Sequence, residues 1–381
     1  MTTLLIISFS DLAKDARLRR QIDTFAGRYD VITAGYGDGI PGARRHIRLP
    51  LPPTGAARRN RLRVESVLLR AHAYRLLQAT SPHLRAARRT LAGVRADVVL
   101  ANDIDAAPLA YDIAPPERVH VDLHEFFPGL HDDVPTWARL RAPFNAWLVR
   151  RFASPAASTT TVAQEIADRY GAFGLLPGVV TNAPFGTSQD VRPTGSPIRL
   201  VHSGAALAGR HLEVMMRAVA ASTADVTLTL HLMPNDPAYL ERLRTLATEL
   251  GPRIRLEPAV AQPDLIATLA QHDVGIHVLP ATSTNHRLAL PNKFFDFVQA
   301  RLGVIVGPSP AMAGLVERGG FGAVANGFTA EDVTAVVDML TPELVAEWKR
   351  AADRAADELS AEHQVGTWIR AIDALARRAG A

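Results

Sequence analysis

The chain has 381 residues, of which 48% are hydrophobic and 21% are charged, and it contains no cysteine. This length favours two domains, and the absence of cysteine excludes disulfides, thiolate nucleophiles and cysteine-ligated metals. No apolar run approaches the length of about 18 residues that a membrane span needs, and the N-terminus lacks the basic flank of a signal peptide, so we expect a cytoplasmic protein.

The formal net charge is +4, and arginines concentrate in the helix-like stretches 57–77 and 83–89. Such a patch suits an anionic membrane face or an anionic substrate, although a solvated arginine-rich helix face gives the same pattern. The segment 137–152 places tryptophan and phenylalanine among arginines, which is typical of a peripheral membrane contact or of a half-buried helix. Aromatic residues are only 6% of the chain and no nucleic-acid module is recognisable, so we expect no nucleic-acid partner.

The N-terminal half alternates short apolar strands with helical segments. A helix is predicted at 15–27, and the predicted strands are 3–8, 29–34, 96–102, 118–124 and 157–163. Strands of this kind, joined by crossovers long enough for helices, are typical of a parallel sheet covered on both faces. The segment 182–197 is rich in Pro, Gly, Ser and Thr, and it is predicted to link two domains.

The alternation restarts after this linker, with predicted strands at 198–204, 226–232, 253–258, 273–279 and 303–307. We therefore predict an α/β protein of two tandem, doubly wound Rossmann-like domains with a cleft between them, bordered by the carboxyl ends of both sheets. The N-terminal domain is expected to span 1–182 and the C-terminal domain 183–360. The last helix, 361–381, is expected to pack back on the first domain.

The stretch ALPNKFFDF, residues 289–297, places polar groups at a predicted helix start. Pro291 suits the first turn, so the helix should begin at about Pro291 or Asn292, where free amides and the macrodipole favour an anion. Asn292, Lys293 and Asp296 share one helix face. They suit a nucleoside diphosphate, with the phosphates at Lys293 and the ribose diol at Asp296. An ordinary surface helix with a Lys–Asp pair is the alternative.

A second stretch, HSGAALAGRHLEV, follows the first strand of the second predicted domain. Gly204 permits close approach of the backbone to a ligand, and Arg210 near the next helix could bind the other side of a diphosphate. The stretch matches neither the dinucleotide fingerprint nor the Walker A loop.

A third stretch, VHVDLHEFFPG, ends a predicted strand with Asp122, His124 and Glu125. A histidine at this place could be a general base, a ligand of sugar hydroxyls or a metal ligand, and a structural histidine that caps the strand end is the alternative. We expect no metal ion here. No nucleophile motif such as GxSxG is present.

These segments, in this order, resemble the GT-B glycosyltransferases of the family 4 type. DLHEFFP is similar to the D-x-H-E segment of that family, LVRRFASPAASTTTVAQEIADRYG to its helix and following strand, and VVTNAPF to its linker entry. HSGAALAGRHLEVMMRAV resembles the loop and helix that open the donor domain, and ALPNKFFDFVQARLGVIVGP resembles the LPNK signature. The resemblance covers nearly the whole chain.

The resemblance implies a retaining transfer of a hexosyl group from a nucleotide-diphosphate-sugar, without metal or cofactor, to a glycan, lipid-linked or small-molecule acceptor. The first domain would hold the acceptor and the second the donor. By this resemblance the donor diphosphate would be held by Gly204, Arg210, Asn292 and Lys293. Asp296 would bind the ribose, and His124 with Glu125 would lie beside the donor sugar as the catalytic residues.

The sequence departs from the family pattern at the donor sugar. Leu288 stands where the family has the first glutamate of its E-x7-E motif, and the nearest polar candidates for a sugar contact are Asn285, His286 and Arg287. The missing glutamate keeps a sugar-nucleotide-binding protein without turnover as one alternative. A nucleotide-sugar 2-epimerase-like isomerase is the other, because it would share the architecture and the diphosphate site, and DLHEFF supplies carboxylates for acid–base chemistry.

Two further departures concern glycines. His211 and Arg301 stand at positions where the family commonly has glycine.

Overall fold

The computed structural model describes residues 1–52 and 54–380. The chain divides into two compact units. The first unit comprises residues 1–181, residues 283–285 and the C-terminal segment from Val365, and the second comprises residues 182–282 and 286–364. Ala381, the last residue of the predicted C-terminal helix, lies outside the described residues.

The first unit contains a parallel sheet of seven strands in the order β3-β2-β1-β4-β5-β6-β7. The strands are β1 (Thr3–Asp11), β2 (Asp30–Tyr36), β3 (Arg45–Arg48), β4 (Val98–Asn102), β5 (Val119–Leu123), β6 (Ser158–Thr161) and β7 (Gly178–Val179). Every strand predicted for this half is present. The two edge strands were not predicted, because β3 has only four residues, of which Ile47 alone is apolar, and β7 has two residues.

Helices cover this sheet between the strands. They are α1 (Ala16–Phe25), α2 (Gly55–Arg70), α3 (Tyr74–Ala79), α4 (Pro82–Thr90), α5 (Asp103–Ala110), α6 (Pro135–Leu148) and α7 (Gln164–Gly171). The start of α1 shows why the sequence forms a helix there, since the Asp15 side chain accepts hydrogen bonds from the backbone amides of Arg17 and Leu18. Leu18, Ile22 and Phe25 follow at helical spacing and are buried in the core of the unit.

The second unit contains a parallel sheet of six strands in the order β10-β9-β8-β11-β12-β13. The strands are β8 (Ile198–Ala205), β9 (Val226–Met233), β10 (Ile254–Pro258), β11 (Val274–His277), β12 (Gly303–Val306) and β13 (Gly322–Val324). The five predicted strands are confirmed, and the short edge strand β13 is additional. No helix or strand occupies 182–197, as the composition of that segment predicted.

The helices that follow along the chain are α8 (Glu213–Ala221), α9 (Pro237–Leu250), α10 (Leu265–Leu269), α11 (Thr284–Arg287), α12 (Asn292–Gln299), α13 (Pro310–Gly319), α14 (Ala330–Val337), α15 (Pro342–Ala355) and α16 (Ala361–Gln364). These helices lie in the second unit, except that the first two residues of α11, Thr284 and Asn285, belong to the first unit. The prediction of two doubly wound α/β domains is confirmed.

The chain ends in α17 (Gly366–Gly380), which belongs to the first unit. Trp368, Ile372 and Leu375 are buried among the strand residues of that core. The indole Nε1 of Trp368 donates to Thr160 Oγ1 at 3.2 Å, and the Arg17 guanidinium lies 4.6 Å from the centre of the indole ring. None of the helices in the described part of the chain is long and apolar enough to cross a membrane.

The strand order reverses once in each sheet, between β1 and β4 in the first and between β8 and β11 in the second. Ligands of doubly wound sheets bind outside the carboxyl ends of the strands at such a switch point. In the first sheet β4 ends at Asn102. In the second sheet β8 ends with Gly204 and Ala205, and β11 ends at His277.

Candidate functional site

A pocket of about 300 Å³ lies at the carboxyl edge of the second sheet. Its lining includes Gly204 and Arg210, which follow β8, and Asn292, Lys293 and Asp296 from α12. These are the five residues for which the sequence predicted a contact with the donor diphosphate or ribose, and the fold brings them to one cavity of the second unit.

Helix α12 begins as the sequence predicted. Pro291 is its N-cap and Asn292 its first residue. Phe294, Phe295 and Phe297 are fully buried, so they fix the helix against the sheet. Asn292 is exposed at the helix start, whereas Lys293 and Asp296 line the pocket with only 8% and 4% of their surface exposed.

The ammonium group of Lys293 contacts a histidine. Lys293 Nζ lies 3.2 Å from His202 Nε2, and His202 Nδ1 lies 2.8 Å from the backbone carbonyl of Ile276. A carbonyl oxygen only accepts hydrogen bonds, so Nδ1 carries the proton and Nε2 presents a lone pair. The geometry therefore makes His202 a neutral acceptor and Lys293 the donor.

The surroundings leave the charge of Lys293 poorly compensated. Burial and the nearby Arg210 lower the pKa of Lys293 to about 7, although Asp296 acts in the opposite direction. Burial and Lys293 also hold the pKa values of His202 and His277 well below the usual range, so both imidazoles are neutral. A bound polyanion would stabilise the charged form of this lysine, because an opposite charge within a few ångströms favours ionisation.

Gly204 explains how the lysine comes so close to the backbone. Its φ of 144° lies in a region that side chains rarely adopt, and a Cβ atom at this position would lie 2.6 Å from Lys293 Nζ. Only glycine therefore lets Lys293 approach the end of β8.

Sequence reasoning missed the two histidines behind Lys293. The rings of His202 and His277 are stacked with their centres 5.6 Å apart, and both ring nitrogens of His277 are buried without a hydrogen-bond partner among the residues described. The available signal was a buried-strand histidine in each of two strands, His202 within the largely apolar β8 and His277 at the carboxyl end of the apolar β11.

The three candidates for a donor-sugar contact are absent from the lining of this pocket. Asn285 is buried in the first unit, where its amide group donates to the Glu125 carboxylate and its oxygen accepts from the Phe126 amide at 2.9 Å. His286 Nδ1 lies 3.0 Å from Thr282 Oγ1, and Arg287 is exposed.

At the carboxyl edge of the first sheet, Asp122 is the centre of a buried polar network. Arg17 donates to both of its oxygens at 2.7 Å, Gln21 donates at 2.7 Å and Thr160 at 2.6 Å. Burial alone would raise the pKa of this carboxyl, but Arg17 and His124 hold it well below its usual range. Asp122 is therefore ionised and fully paired.

Acceptors surround the imidazole of His124. Nδ1 lies 3.4 Å from Asp103 Oδ2, and Nε2 lies 3.3 Å from Asp122 Oδ2 and 3.1 Å from Asn102 Oδ1. Burial alone would lower the pKa of His124, but Asp103 and Asp122 raise it above the usual value. Because both nitrogens face acceptors, the surroundings favour the imidazolium form of His124, which suits neither a general base nor a metal ligand. Within the described ranges, no group of three or more His, Asp or Glu residues could hold a metal ion.

Asp103 positions His124 and is itself held in a strained conformation. Its φ is 65°, and its Oδ1 accepts the backbone amide of His124 at 2.9 Å. Burial, and to a smaller extent Asp122, raises the pKa of Asp103, although His124 opposes this shift. Strained backbone of this kind concentrates at functional sites. The sequence signal was an Asn-Asp pair at a strand end, because these residue types tolerate the left-handed region.

Glu125, the second predicted catalytic residue, follows His124 directly. It is exposed, its carboxylate accepts from Asn285, and its backbone carbonyl accepts from the Tyr170 hydroxyl at 2.5 Å.

The fold agrees with solved structures over almost the whole chain. A structure of Anabaena HepE in complex with UDP and glucose gives a TM-score of 0.67 at 15% identity and covers 98% of this chain and 100% of that one. Sucrose-phosphate synthase from Thermosynechococcus elongatus gives 0.70 at 13% identity, with 98% and 100% covered. WaaG, a glycosyltransferase involved in lipopolysaccharide biosynthesis, gives 0.64 at 14% identity, with 97% and 98% covered.

The chain has the GT-B fold. The fold that the sequence resemblance implied is therefore confirmed. No protein-family model matches the sequence, and no curated protein matches it.

The backbone conformation explains why glycine is favoured at the positions of His211 and Arg301. His211 has a φ of 46° and Arg301 a φ of 60°, both in the left-handed region that favours glycine. Arg301 offsets this strain through its side chain, which donates to Asp353 at 2.7 Å and to the carbonyl of Gln299 at 2.8 Å.

Proposed function

We propose that this chain is a glycosyltransferase that moves a hexosyl group from a nucleotide-diphosphate-sugar to an acceptor hydroxyl. The observation that carries the proposal is the buried Lys293, which faces a neutral imidazole in a pocket at the switch point of the second sheet. The fold is shared with glycosyltransferases, and HepE was crystallised with UDP.

The pocket residues divide the donor between them. Lys293 and Arg210 neutralise the diphosphate, the free amides at the start of α12 near Asn292 add hydrogen bonds, and Gly204 leaves room for close approach. Asp296 accepts from the ribose hydroxyls. As the bond to the sugar breaks, negative charge grows on the diphosphate, and a preorganised cation stabilises that charge most when water is excluded. The two cations make this donor site independent of a metal.

The first unit supplies the acceptor side of the reaction in this proposal. His124 and Glu125 are the catalytic candidates, with the His124 imidazolium held by Asp103 and Asp122. Its contacts with those carboxylates are 3.3–3.4 Å long, so its N–H groups can share a hydrogen bond with a sugar hydroxyl. His286 and Arg287 are the proposed polar contacts of the donor sugar in place of the missing glutamate.

The proposal is tested by incubating the protein with UDP-glucose, GDP-mannose, TDP-glucose and ADP-glucose and measuring release of the nucleoside diphosphate. We expect one donor to be consumed, at a rate that Lys293→Met and Arg210→Ala each reduce at least about 100-fold, the loss reported for single charge-stabilising groups. Arg217→Ala is the matched control, because Arg217 is exposed on α8 outside the pocket.

Nuclear magnetic resonance of the sugar product separates the alternatives. A transferred sugar supports the proposal, whereas a C2 epimer would assign an isomerase. Tight nucleotide binding with no consumption of any donor would indicate a binding protein and contradict the proposal.

A further inference from the structure

The first unit contains a second cavity, of about 280 Å³, under helix α2. Much of its wall is apolar and comes from Leu62, Leu77, Leu84, Phe144 and Leu148. This volume is close to the lower end of the range for small-molecule sites, about 300–1,000 Å³.

Arginines give the cavity a positive balance of charge. Arg141 is paired with Glu65, but Arg61 donates to uncharged oxygens, the Leu77 carbonyl at 3.0 Å and Thr80 Oγ1 at 3.2 Å. Arg58 also lines the cavity, where it is exposed, and its guanidinium has no carboxylate partner among the residues that the structure describes. The wall therefore carries three arginines against two carboxylates, Glu65 and Asp105, and this positive balance favours an anionic ligand.

A buried hydrogen-bond donor points to the same ligand chemistry. Gln78 lines the cavity, and its Nε2 is buried without a partner in the described part of the chain. A buried amide donor without an acceptor is unfavourable by about 1–3 kcal/mol, so an acceptor on a ligand would relieve it.

The cavity is connected to the His124 network through α5. Asp105 lies in the cavity wall, two residues after Asp103, which holds His124. The surrounding protein atoms, with a smaller contribution from Asp103, raise the pKa of the Asp105 carboxyl to about 6, although the residue is exposed at the cavity.

The exposed residues of α2, at the rim of the cavity and beyond it, indicate where an apolar ligand would come from. Leu62, Val64 and Val67 are 49%, 50% and 61% exposed, and they alternate with exposed arginines such as Arg59 and Arg63. A helix that exposes both leucine or valine and arginine has charge and polarity complementary to an anionic bilayer.

We propose that the cavity under α2 binds a membrane-borne anionic amphiphile, with its phosphate or carboxylate at Arg58 and Gln78 and its hydrocarbon chain along Leu62, Leu77 and Leu84. If the proposed glycosyltransferase function holds, this amphiphile is the acceptor. The first statement rests on the cavity alone and the second rests on the proposed function.

The test is calorimetric titration of the full chain with decyl phosphate, with decanol and inorganic phosphate as the two half-ligands. Decyl phosphate is expected to bind at least about tenfold more tightly than either half-ligand, since both apolar wall and cation contribute. Arg58→Ala and Leu62→Asp are each expected to weaken binding about tenfold or more. Arg59→Ala and Val64→Asp are the matched controls, because both residues are exposed on the same helix but neither lines the cavity.

Equal losses in Arg58→Ala and Arg59→Ala, or no binding of decyl phosphate, would overturn the proposal. Flotation with phosphatidylcholine vesicles, with and without phosphatidic acid, distinguishes the source of the ligand. Capture of the protein by the acidic vesicles alone, and loss of this capture in Leu62→Asp, would support a membrane-borne ligand. Binding of free decyl phosphate without capture by vesicles would contradict it. Lys293→Met should leave decyl phosphate binding unchanged. Failure of nucleotide-sugar turnover with intact decyl phosphate binding would therefore reject the enzyme function but not this site.

Discussion

Two buried lysines of the second unit differ in what they contact. Lys349 on α15 is 1% exposed, and its Nζ lies 3.0 Å from the carboxylate of Asp273, which Arg199 also contacts at 3.0 Å. Lys293 at the pocket is 8% exposed, and its Nζ contacts the neutral imidazole of His202.

This difference distinguishes Lys349, a charge compensated within the fold, from Lys293, for which we propose an external anion. A buried cation that faces a carboxylate is compensated within the protein, so it needs no ligand. A buried cation that faces an imidazole keeps much of its desolvation penalty, and an anion from outside can relieve it. Burial alone does not distinguish these lysines, but the partner does.

The largest difference is expected between the stabilities of two lysine variants. Lys349→Met is expected to lower the free energy of unfolding by about 3 kcal/mol, because it leaves the buried Asp273 with Arg199 as a partial partner. Lys293→Met is expected to change it by less than about 1 kcal/mol or to raise it, because it removes a charge that the fold compensates poorly. Urea unfolding followed by circular dichroism measures both. Comparable losses in the two variants would contradict the comparison.

Gly204→Ala tests the close approach of Lys293 to the backbone. The new Cβ would lie 2.6 Å from Lys293 Nζ at a φ of 144°, so we expect a loss of about 2 kcal/mol in unfolding free energy and weaker binding of UDP. Gly209→Ala is the control in the same loop, since nothing lies within 4 Å of its Cβ position. If both alanine variants behave like the wild type, the assigned role of Gly204 is wrong.

The pH dependence of stability has a sign that follows from the pKa of Lys293, which falls from 10.5 to about 7 on folding. Below about pH 7 both states bind the proton, and the native state bears the full penalty of the buried charge. Above it the unfolded chain still binds the proton while the native state releases it, so rising pH favours the native state.

The unfolding free energy of the wild type relative to Lys293→Met should therefore increase by about 1–2 kcal/mol between about pH 7 and about pH 9. Urea unfolding of both proteins across this range measures the increase. The variant cancels contributions from other groups, including Lys349. A difference that stays flat or falls with pH would show that Lys293 is charged throughout.

The smallest expected change in stability is the one between two variants of Arg301. Both Arg301→Ala and Arg301→Gly delete the contacts of its side chain, so the difference between them isolates the left-handed backbone. We expect the glycine variant to be more stable by about 1 kcal/mol. Arg350, exposed within α15, provides the control with the opposite sign, because alanine is favoured over glycine by about 1 kcal/mol inside a helix. Thermal unfolding of the four variants measures both differences.

The predicted parts of the molecule were those encoded locally. Apolar β-branched runs predicted the strands of both sheets, and the Pro-Asn-Lys start of α12 predicted a polar helix face that does line a pocket. The edge strands β3, β7 and β13 escaped prediction because two to four residues carry too little periodicity.

The missed parts depend on contacts between distant residues. Arg17 and Asp122 are 105 positions apart, and His202 and Lys293 are 91 apart, so neither pairing is visible before the strands are placed side by side. Asn285 shows the same limit: its position in the sequence suggested a sugar contact, whereas its amide contacts Glu125 and Phe126.

The most direct test of the central claim is calorimetric titration of UDP into the wild type, Lys293→Met and Lys349→Met at neutral pH. The claim predicts that Lys293→Met weakens UDP binding about 100-fold, equivalent to ~2.7 kcal/mol, and that Lys349→Met, if it remains folded, binds like the wild type. UDP binding to Lys293→Met with wild-type affinity would contradict the assignment of the buried lysine as the diphosphate ligand.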